Sequence, residues 1–325
     1  MSSTEMRYVN AVNQALRDCM EQDSSVVVMG EDVAHAGGSF KATRGLLDTF
    51  GERRVIDTPI SESSITSAAV GMALTGLKPV IEIMFMDFIT LSMDALVNQA
   101  AKAHYMFGGQ GSVPMVLRTP HGGGLSAGPQ HSQCLEAWLA HIPGLKVVCP
   151  SNPQDAYSLL RAAIADPDPV MFIEHKAMYA AKGQVDTSQA ARIGQARMAR
   201  QGRDVTLVTY GATVPVCLKA AEQLAREGVE AEVLDLRSIQ PWDKAAVLES
   251  LSRTHRAVVV HEAVQAFGVG AEIVATIADE GFDELDAPVL RVAAPFMPAP
   301  FASSLEKGYV VTIERVIDAV RKTLA

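Results

Sequence analysis

Short apolar runs recur along the first half of the chain, separated by longer segments with helical spacing or composition. The runs are SVVVMG (25–30), RRVIDT (53–58), PVIEIM (79–84), VPMVLR (113–118), LKVVCP (145–150) and PVMFIE (169–174). The intervening segments include SSITSAAVGMALTG (63–76), MDALVNQAAKAHYM (93–106) and NPQDAYSLLRAAIAD (152–166). Strands that alternate with helices predict right-handed crossovers and a mostly parallel sheet covered on both faces.

The pattern is interrupted once and then restarts. From about 177 to 201 the chain is polar and lacks a clear strand. Strand-like runs then return at 204–211, 229–238, 255–263 and 287–294, with helical segments at 214–228, 243–253 and 268–280. The chain is therefore predicted to fold as an α/β domain over 1–180, a linker over 181–200 and a smaller α/β domain of about four strands over 201–325.

Composition limits the function classes. Hydrophobic residues make up 48% and charged residues 20% of the 325 residues, the balance of a globular protein with a generous core. A formal net charge of −9 without a Lys/Arg cluster argues against nucleic acid and anionic membranes as partners. No apolar stretch has membrane-spanning length and the first residues lack the build of a secretory signal, so a cytoplasmic location is predicted.

The four cysteines form no recognisable framework. They are scattered with no C-x-x-C pair, at Cys19, Cys134, Cys149 and Cys217. This spacing favours neither a zinc site nor disulfides, and the thiols are interpreted as buried or incidental.

Candidate chemistry is sought after the strands, because ligands of open α/β sheets bind beyond the carboxyl ends of the strands. Three segments lie there. They are TPISES (58–63), MFMDF (84–88) and RTPHGGGLSAGPQHSQ (118–133).

The last of these segments is a glycine-rich loop that could cradle a phosphate or deliver His131 to a reacting atom. A P-loop needs G-x-x-x-x-G-K-[ST], but no lysine or arginine follows the loop until Lys146, and G-x-G-x-x-G is also missing. The phosphate cradle is therefore disfavoured. Delivery of His131 is the leading functional interpretation, and a surface loop with a capping histidine is the alternative.

A metal site at the same loop is also disfavoured. His121 and His141 stand ten residues on either side of His131, which matches no common ligand spacing, and no acidic or thiol partner completes a set.

Glu62 has two interpretations. Pro59 ends the preceding strand and Ser61 is a plausible N-cap, so Glu62 falls in the first turn of a helix. There the carboxylate could simply be stabilised by the helix dipole, or it could be a buried group that shares a proton with a ligand nitrogen. The small face of this helix predicts close packing against another backbone, which would bury the turn; it comprises Ala68, Ala69, Gly71, Met72 and Gly76.

The two phenylalanines of IEIMFMDFITL are ambiguous in the same way. A core position is the default for Phe85 and Phe88, although an aromatic face after a strand could stack on a heteroaromatic ring. The GVG at 268–270 is assigned to a helix start.

Taken together, these segments resemble the beta subunit of thiamine-diphosphate-dependent 2-oxo acid dehydrogenases. The motifs in the first half are GEDV (30–33), DTPISE (57–62), EIMFMDF (82–88), AAKAHYMFGG (100–109), GPQHSQ (128–133) and GLKVVCPSNPQDA (144–156). Those in the second half are TYGATV (209–214), EVLDLRSIQPWD (232–243), VVVHEA (258–263) and APFMPAPFA (294–302). The resemblance implies a transketolase-like, pyrimidine-binding, parallel-sheet domain followed by a smaller α/β domain of the transketolase C-terminal type.

The resemblance also assigns roles to residues. Glu62 corresponds to the carboxylate that bonds the aminopyrimidine ring of thiamine diphosphate, Phe88 to the aromatic that packs on that ring, and His131 to the active-site histidine, which would stabilise charge or move protons. A potassium site of the family, built mainly from backbone carbonyls, would map onto Met115, Ala163, Ile164, Asp166 and Asp168. Pro167 and Asp168 depart from the more usual polar run at that site.

The missing G-D-G motif implies a second chain. The superfamily holds Mg²⁺ and the diphosphate with G-D-G followed by an asparagine, and GED at 30–32 does not replace it. A separate alpha subunit would carry the Mg²⁺ and the diphosphate in an α₂β₂ heterotetramer. The small-residue helix after Glu62 would be a candidate interface element, and the acyl unit would pass to a lipoyl group on an acyltransferase.

The substrate and two other classes of function stay open at this point. Residues 83–109 and 118–138 look closest to the beta chain of acetoin dehydrogenases, with pyruvate and branched-chain 2-oxo acids as the alternatives. A self-sufficient transketolase-like enzyme is opposed by the short length and the missing G-D-G. A non-catalytic α/β scaffold or regulatory chain would use Glu62 only as a cap.

Overall fold

The structure is a computed structural model that describes residues 3–325 as two compact units. The first unit contains the residues up to His121 together with Trp138–Ile193, and the second contains Gly122–Ala137 together with Gly194–Ala325. The glycine-rich loop therefore belongs to the second unit, although it follows a strand of the first.

Among the described residues, the first unit contains eight strands and six α-helices. The strands are Thr4–Arg7 (β1), Val26–Gly30 (β2), Val55–Asp57 (β3), Lys78–Glu82 (β4), Val116–His121 (β5), Lys146–Val148 (β6), Val170–His175 (β7) and Lys182–Val185 (β8). The last strand, β8, pairs with β1 in a small ribbon. The helices are Tyr8–Gln22 (α1), Leu46–Phe50 (α2), Glu62–Leu74 (α3), Ala101–Met106 (α4), Glu136–Ala140 (α5) and Pro153–Ala165 (α6). Helix α5 lies where the chain passes from the second unit back to the first.

The main sheet of the first unit is parallel, with its strands in the order β6-β7-β5-β4-β2-β3. Strands β2, β5 and β7 are buried along their whole length, as expected for central strands covered on both faces. The prediction of six strands and a mostly parallel sheet is confirmed here.

Helix α1 was not predicted from the sequence, and its apolar face covers this sheet. The buried positions follow helical spacing and are Tyr8, Ala11, Val12, Ala15, Leu16, Cys19 and Met20. Helix α6 begins where predicted: Pro153 takes the first turn, and the side chain of Asn152 accepts a hydrogen bond from the amide of Asp155 at 2.9 Å.

The prediction that the chain from about 177 to 201 lacks a clear strand is wrong. Strand β8 pairs antiparallel with β1, and Arg197–Arg200 (β9) pairs antiparallel with Ala231–Asp235 (β11). Neither strand is fully buried, so neither needs the apolar run that marks a central strand. Polar edge strands of this kind give no strong sequence signal.

The second unit contains β9, β11 and four further strands. These are Val205–Thr209 (β10), Ser238–Gln240 (β12), Ala257–Val264 (β13) and Leu290–Ala294 (β14). Its sheet runs β14-β13-β10-β11-β9, in which the first four strands are parallel, as predicted, and β9 adds an antiparallel edge.

The helices of the second unit cover that sheet. They are Thr213–Ala225 (α7), Lys244–Thr254 (α8), Val269–Glu280 (α9), Ser303–Tyr309 (α10) and Ile313–Leu324 (α11). Helices α7 and α11 pack on the apolar residues of β10, β11 and β13 to form the core. The GVG at 268–270 lies at the start of α9, as predicted.

The segment predicted as one helix over 93–106 is irregular. It consists of a π-helical stretch, Ala95–Ala100, followed by α4, and it comes after a 3₁₀ segment, Met86–Ser92. Within residues 3–325, no helix is both long enough and apolar enough to span a bilayer.

Candidate active site

Glu62 is the first residue of α3, and its side chain is buried, with 6% of its surface exposed. Ser61 occupies the N-cap position, but its hydroxyl donates to the hydroxyl of Ser64 at 2.9 Å and makes no capping bond to the backbone. The helix start predicted from the sequence is confirmed, while the capping role of the serine side chain is not. A buried carboxylate in the first turn is stabilised by the helix dipole but excluded from most of the solvent.

The burial of this turn comes from the 3₁₀ segment Met86–Ser92. The fully buried hydroxyl of Ser92 donates to the carbonyl of Glu62 at 3.1 Å and accepts from the hydroxyl of Thr66 at 2.8 Å. The segment that ends at Ser92 also contains Phe88, so two predicted site residues lie on adjoining elements.

The small-residue face of α3 is largely open within residues 3–325. Ala69 is buried, but Ala68, Gly71 and Gly76 are exposed, and no atom lies within contact distance of a Cβ placed at either glycine. The predicted close packing on another backbone is therefore not made by the described residues of this chain.

Glu31 is a further carboxylate near Glu62 that the sequence analysis did not single out. It follows β2 directly and is 6% exposed, and its Oε1 atom accepts no hydrogen bond from residues 3–325. Burial raises the pKa of the Glu31 carboxyl, and the negative charges of Glu62 and Asp32 raise that pKa further. The Glu31 carboxyl therefore holds its proton more firmly than an exposed glutamate does.

A group of aromatic rings lies beside this segment. The rings of Phe85 and Phe88 meet edge to face at 6.1 Å, and Phe40 meets Phe85 in the same manner at 5.9 Å. The ammonium of Lys176 lies 5.7 Å from the centre of the Phe85 ring. Both Phe85 and Phe88 are only half-buried, so each keeps an exposed edge or face that a ligand ring could contact.

An ion cluster is buried at the centre of the main sheet. Arg118 donates two hydrogen bonds to Glu174, at 2.7 and 2.9 Å, and one to Glu82 at 2.8 Å. The hydroxyl of Tyr179 donates to Glu174 at 2.7 Å. Burial is the main cause that raises the pKa of the Glu174 carboxyl, and it outweighs the opposing effect of Arg118. Arginine and glutamate inside otherwise apolar strands were the available sequence signal for this cluster.

The glycine-rich loop binds anions, but they are carboxylates of its own unit. The amide of Gly123 donates to Glu262 at 2.6 Å, and the amides of Gly124 and Ser126 donate to Glu306 at 2.8 and 2.9 Å. Positive φ angles recur at every second residue of this stretch, at Gly122, Gly124, Ser126 and Gly128. Such alternation turns successive amides towards one concave side, which is the geometry of an anion-binding nest.

His131 lies near the end of the glycine-rich loop, in a tight turn. Its amide donates to the carbonyl of Gly128 at 3.3 Å, and Pro129 occupies the second position of that turn. A Cβ on Gly128 would overlap the ring of Phe301, so glycine is required there both for its φ of +78° and for the close approach. His131 itself is half-buried.

The second unit also contains a buried polar group around His261. The hydroxyl of Tyr210 donates to Glu136 at 2.8 Å, and the ring of Tyr210 lies parallel to that of His261 at 6.3 Å. Burial lowers the pKa of His261 to about 4, although the charge of Glu136 opposes that change. His261 is therefore neutral at physiological pH.

The three histidines considered for a metal site have different surroundings. His121 is buried in the first unit, where its ring meets that of His175 edge to face at 5.4 Å. His141 is exposed in the same unit, and His131 belongs to the second unit.

The acidic residues of the predicted potassium site are engaged by a lysine. The ammonium of Lys146 lies 2.6 Å from Asp166 and 3.0 Å from Asp168. The carbonyl of Met115 accepts from the amide of Val170 at 3.0 Å, and the carbonyl of Ala163 accepts from the amide of Asp166 at 3.3 Å. Both carboxylates are thus paired with Lys146, and a potassium ion here would depend on the remaining lone pairs of the carbonyls.

The fold and this constellation define a class. Residues 4–182 match the family described as transketolase, pyrimidine binding domain, and residues 194–316 match the family described as transketolase, C-terminal domain. A solved split-gene transketolase, described as an inactive beta4 tetramer, shares the fold with a TM-score of 0.82 over 98% of each chain, at 21% identity. The transketolase-like α/β architecture predicted from the sequence is confirmed.

Relatives narrow the class. The chain is 45% identical to the mitochondrial pyruvate dehydrogenase E1 component subunit beta-1 of Arabidopsis thaliana, over 98% of this chain and 89% of the relative. It is 43% identical to the 2-oxoisovalerate dehydrogenase subunit beta of Bacillus subtilis, over 98% of each. It is 44% identical to the acetoin:2,6-dichlorophenolindophenol oxidoreductase subunit beta of the same organism, over 97% of this chain and 96% of the relative. The chain belongs to the beta subunits of the thiamine-diphosphate-dependent 2-oxo acid dehydrogenase family, as the resemblance implied.

Proposed function

We propose that this chain is the catalytic beta subunit of a complex that cleaves acetoin and transfers the acyl unit to a lipoyl group. The observation that supports a catalytic role is the buried carboxylate of Glu62 in the first turn of α3. The identities of 43–45% to relatives named for pyruvate, 2-oxoisovalerate and acetoin do not separate these substrates. Acetoin is proposed on the segments 83–109 and 118–138, with pyruvate or a branched-chain 2-oxo acid as the alternative.

Glu62 suits an aminopyrimidine ring. A carboxylate excluded from solvent holds a proton shared with a ring nitrogen more firmly than an exposed one does. The pKa of the neighbouring Glu31 carboxyl is raised by burial and by the charge of Glu62. When bound, thiamine diphosphate would supply the carbon nucleophile and the electron sink for this cleavage.

Phe88 and His131 complete the proposed set. The half-buried ring of Phe88 has the flat apolar surface that packs on a heteroaromatic ring. His131 is held in a tight turn, and imidazole is the side chain most often used in general acid–base catalysis.

The remaining cofactors belong mainly to the partner. The chain lacks G-D-G, so we assign Mg²⁺ and the diphosphate to an alpha subunit in an α₂β₂ heterotetramer. The exposed small-residue face of α3 is the proposed contact with that subunit. A lipoyl-bearing acyltransferase would accept the acyl unit, and a cytoplasmic location is part of the proposal.

Potassium is retained in a narrower form. Because Lys146 already pairs with Asp166 and Asp168, the proposed ligands are backbone carbonyls of the set Met115, Ala163, Ile164, Asp166 and Asp168. Thermal unfolding in potassium chloride and in choline chloride at equal ionic strength tests this. A higher Tm in potassium supports the site, and equal Tm values contradict it.

Substitution of Glu62 tests the catalytic role. In the complex reconstituted with its alpha subunit, Glu62→Gln should lower turnover by at least a hundredfold with assembly preserved, because the amide cannot share the proton. Glu52→Gln, at an exposed position of the same unit, is the matched control. Wild-type turnover in Glu62→Gln would favour the non-catalytic scaffold, in which Glu62 only stabilises the helix.

Two further measurements address the partner and the substrate. Native mass spectrometry of the isolated chain should show no tightly held thiamine diphosphate, whereas the reconstituted complex should retain it. Tight binding by the isolated chain would contradict the split site. Assays with acetoin, pyruvate and 3-methyl-2-oxobutanoate then rank the substrates.

A further inference from the structure

We propose that Glu306, together with Glu262, is a positioning residue for His131. These carboxylates occupy the anion nest of the glycine-rich loop and so fix the path of the chain that leads to the histidine. The inference rests on the proposed catalytic role of His131. Neither glutamate is offered as a group that touches the substrate or the cofactor.

Glu306 makes the larger share of the contacts. Its Oε1 atom accepts from the amide of Gly124 at 2.8 Å, and its Oε2 atom accepts from the amide and the hydroxyl of Ser126 at 2.9 and 3.1 Å. The side chain is 4% exposed. Donors that converge on an ionised carboxylate form stronger and shorter hydrogen bonds than those between neutral groups. A single side chain thus holds three donors of one turn.

The loop needs this anion for its shape. Ser126 has a φ of +53°, a conformation that is strained for a residue other than glycine, and Gly122, Gly124 and Gly128 also have positive φ. Without the carboxylates, the N–H groups that point to the concave side would have no hydrogen-bond acceptor, and their positive ends would repel one another. We therefore infer that the loop would leave this conformation.

The same short segment covers the loop at its other end. Phe301 packs on Gly128 where a Cβ would not fit, and Glu306 lies five residues further along. Gly128 accepts the hydrogen bond that closes the turn of His131. Segment 301–306 therefore constrains both the nest and the turn that runs from Gly128 to His131.

Hydrogen exchange tests the clamp without reference to activity. In the reconstituted complex, amides of the peptide covering 122–133 should exchange at least tenfold faster in Glu306→Gln, because the amide group of glutamine presents a donor where the loop also presents donors. Glu249→Gln, at a position 76% exposed, should leave this exchange unchanged. Glu306→Asp, which keeps the charge, should restore part of the protection. Wild-type exchange in Glu306→Gln overturns the proposal.

A double-mutant cycle tests whether the effect passes through His131. Glu306→Gln should lower turnover at least tenfold, with Glu306→Asp intermediate, and should lower it less than twofold further in a His131→Ala background. A full tenfold loss in that background overturns the positioning role.

The two proposals fail in different ways. If His131→Ala retains wild-type turnover, the catalytic role of His131 fails and the positioning role fails with it. If His131→Ala is impaired while Glu306→Gln is normal, only the positioning role fails. Should Glu306→Gln not assemble, the comparison of Glu306→Asp with wild type gives the same two readouts, with smaller changes expected.

Discussion

The guanidinium of Arg118 meets the carboxylate of Glu174 through two parallel hydrogen bonds, 2.7 and 2.9 Å long, inside the sheet of the first unit. A further nitrogen of Arg118 donates to Glu82 at 2.8 Å. None of the three side chains is more than 6% exposed. Buried charges of this kind are tolerated as a set, since removing one partner leaves the others unpaired in a medium that solvates them poorly.

Replacing Arg118 should be costly. Arg118→Lys loses the paired geometry towards Glu174 and should reduce the free energy of unfolding by roughly 3–5 kcal/mol. Arg321→Lys is the control, because one nitrogen of Arg321 donates to both carboxylate oxygens of Glu227 at an exposed site, where roughly 1 kcal/mol or less is expected. Thermal unfolding of both variants checks this, and equal losses would contradict it.

Two glycines with similar backbone angles should respond differently to alanine. Gly144 and Gly76 have φ angles of +102° and +99°. A Cβ at Gly144 would overlap the carbonyl of Ala101, whereas no atom of residues 3–325 lies within 4 Å of a Cβ placed at Gly76. Gly76→Ala should cost roughly 1–2 kcal/mol from the backbone alone, and Gly144→Ala should cost roughly 1–3 kcal/mol more, because backbone must move. Denaturation midpoints compare them, and a smaller loss at Gly144 would refute the steric argument.

His261 should make the second unit less stable in acid. Its folded-state pKa of about 4 lies below the ordinary value, so between about pH 6.5 and 4 the unfolded chain binds a proton that the folded chain does not. Its contribution to the free energy of unfolding should fall by about 1.4 kcal/mol per pH unit as the pH drops through that window. His261→Phe should remove this slope, as measured by thermal unfolding from pH 7 to 4.

The control for that slope is His141→Phe, which changes an exposed histidine. A slope that persists in His261→Phe would assign the acid sensitivity to other groups.

Glu31 should lower stability once the pH rises above its folded-state pKa. Because burial and the charge of Glu62 raise its pKa, the folded chain holds this proton more firmly than the unfolded chain, and stability is lost as the pH rises through the folded-state value. Glu31→Gln should therefore raise the Tm of the reconstituted complex by roughly 2 °C or more at pH 8, and by less at pH 5. The exposed Glu52→Gln is the control. If Glu31→Gln changes the Tm by the same amount at pH 8 and at pH 5, this explanation is contradicted.

The fold was predictable where burial is complete. Central strands such as β2 and β7 are recognisable as apolar runs because both of their faces are covered. Strands β8 and β9 were missed because an edge or ribbon strand satisfies its hydrogen bonds without an apolar pattern. The irregular stretch at 95–100 was also missed, since periodicity does not distinguish a π-helical turn from an α-helix.

The candidate site was predictable only where a local pattern marks it. The position of Glu62 at a helix start after a strand follows from such a pattern. Glu262 and Glu306 could not be tied to the glycine-rich loop, because they lie more than a hundred residues away along the chain and no spacing rule connects them. Arg118 carries a local sequence signal. It ends the apolar run VPMVLR, and an arginine buried at that position needs an acidic partner.

The path of the chain through the glycine-rich loop bears on any attempt to divide the protein. Residues 122–137 belong to the second unit, although the first unit supplies the sequence on both sides of them. A fragment that begins at Gly194 would therefore contain Glu262 and Glu306 but none of the amides that they bind. Cutting at the obvious boundary would leave two acids without their donors, so a circularly permuted or loop-grafted chain is the sounder route to an autonomous C-terminal half.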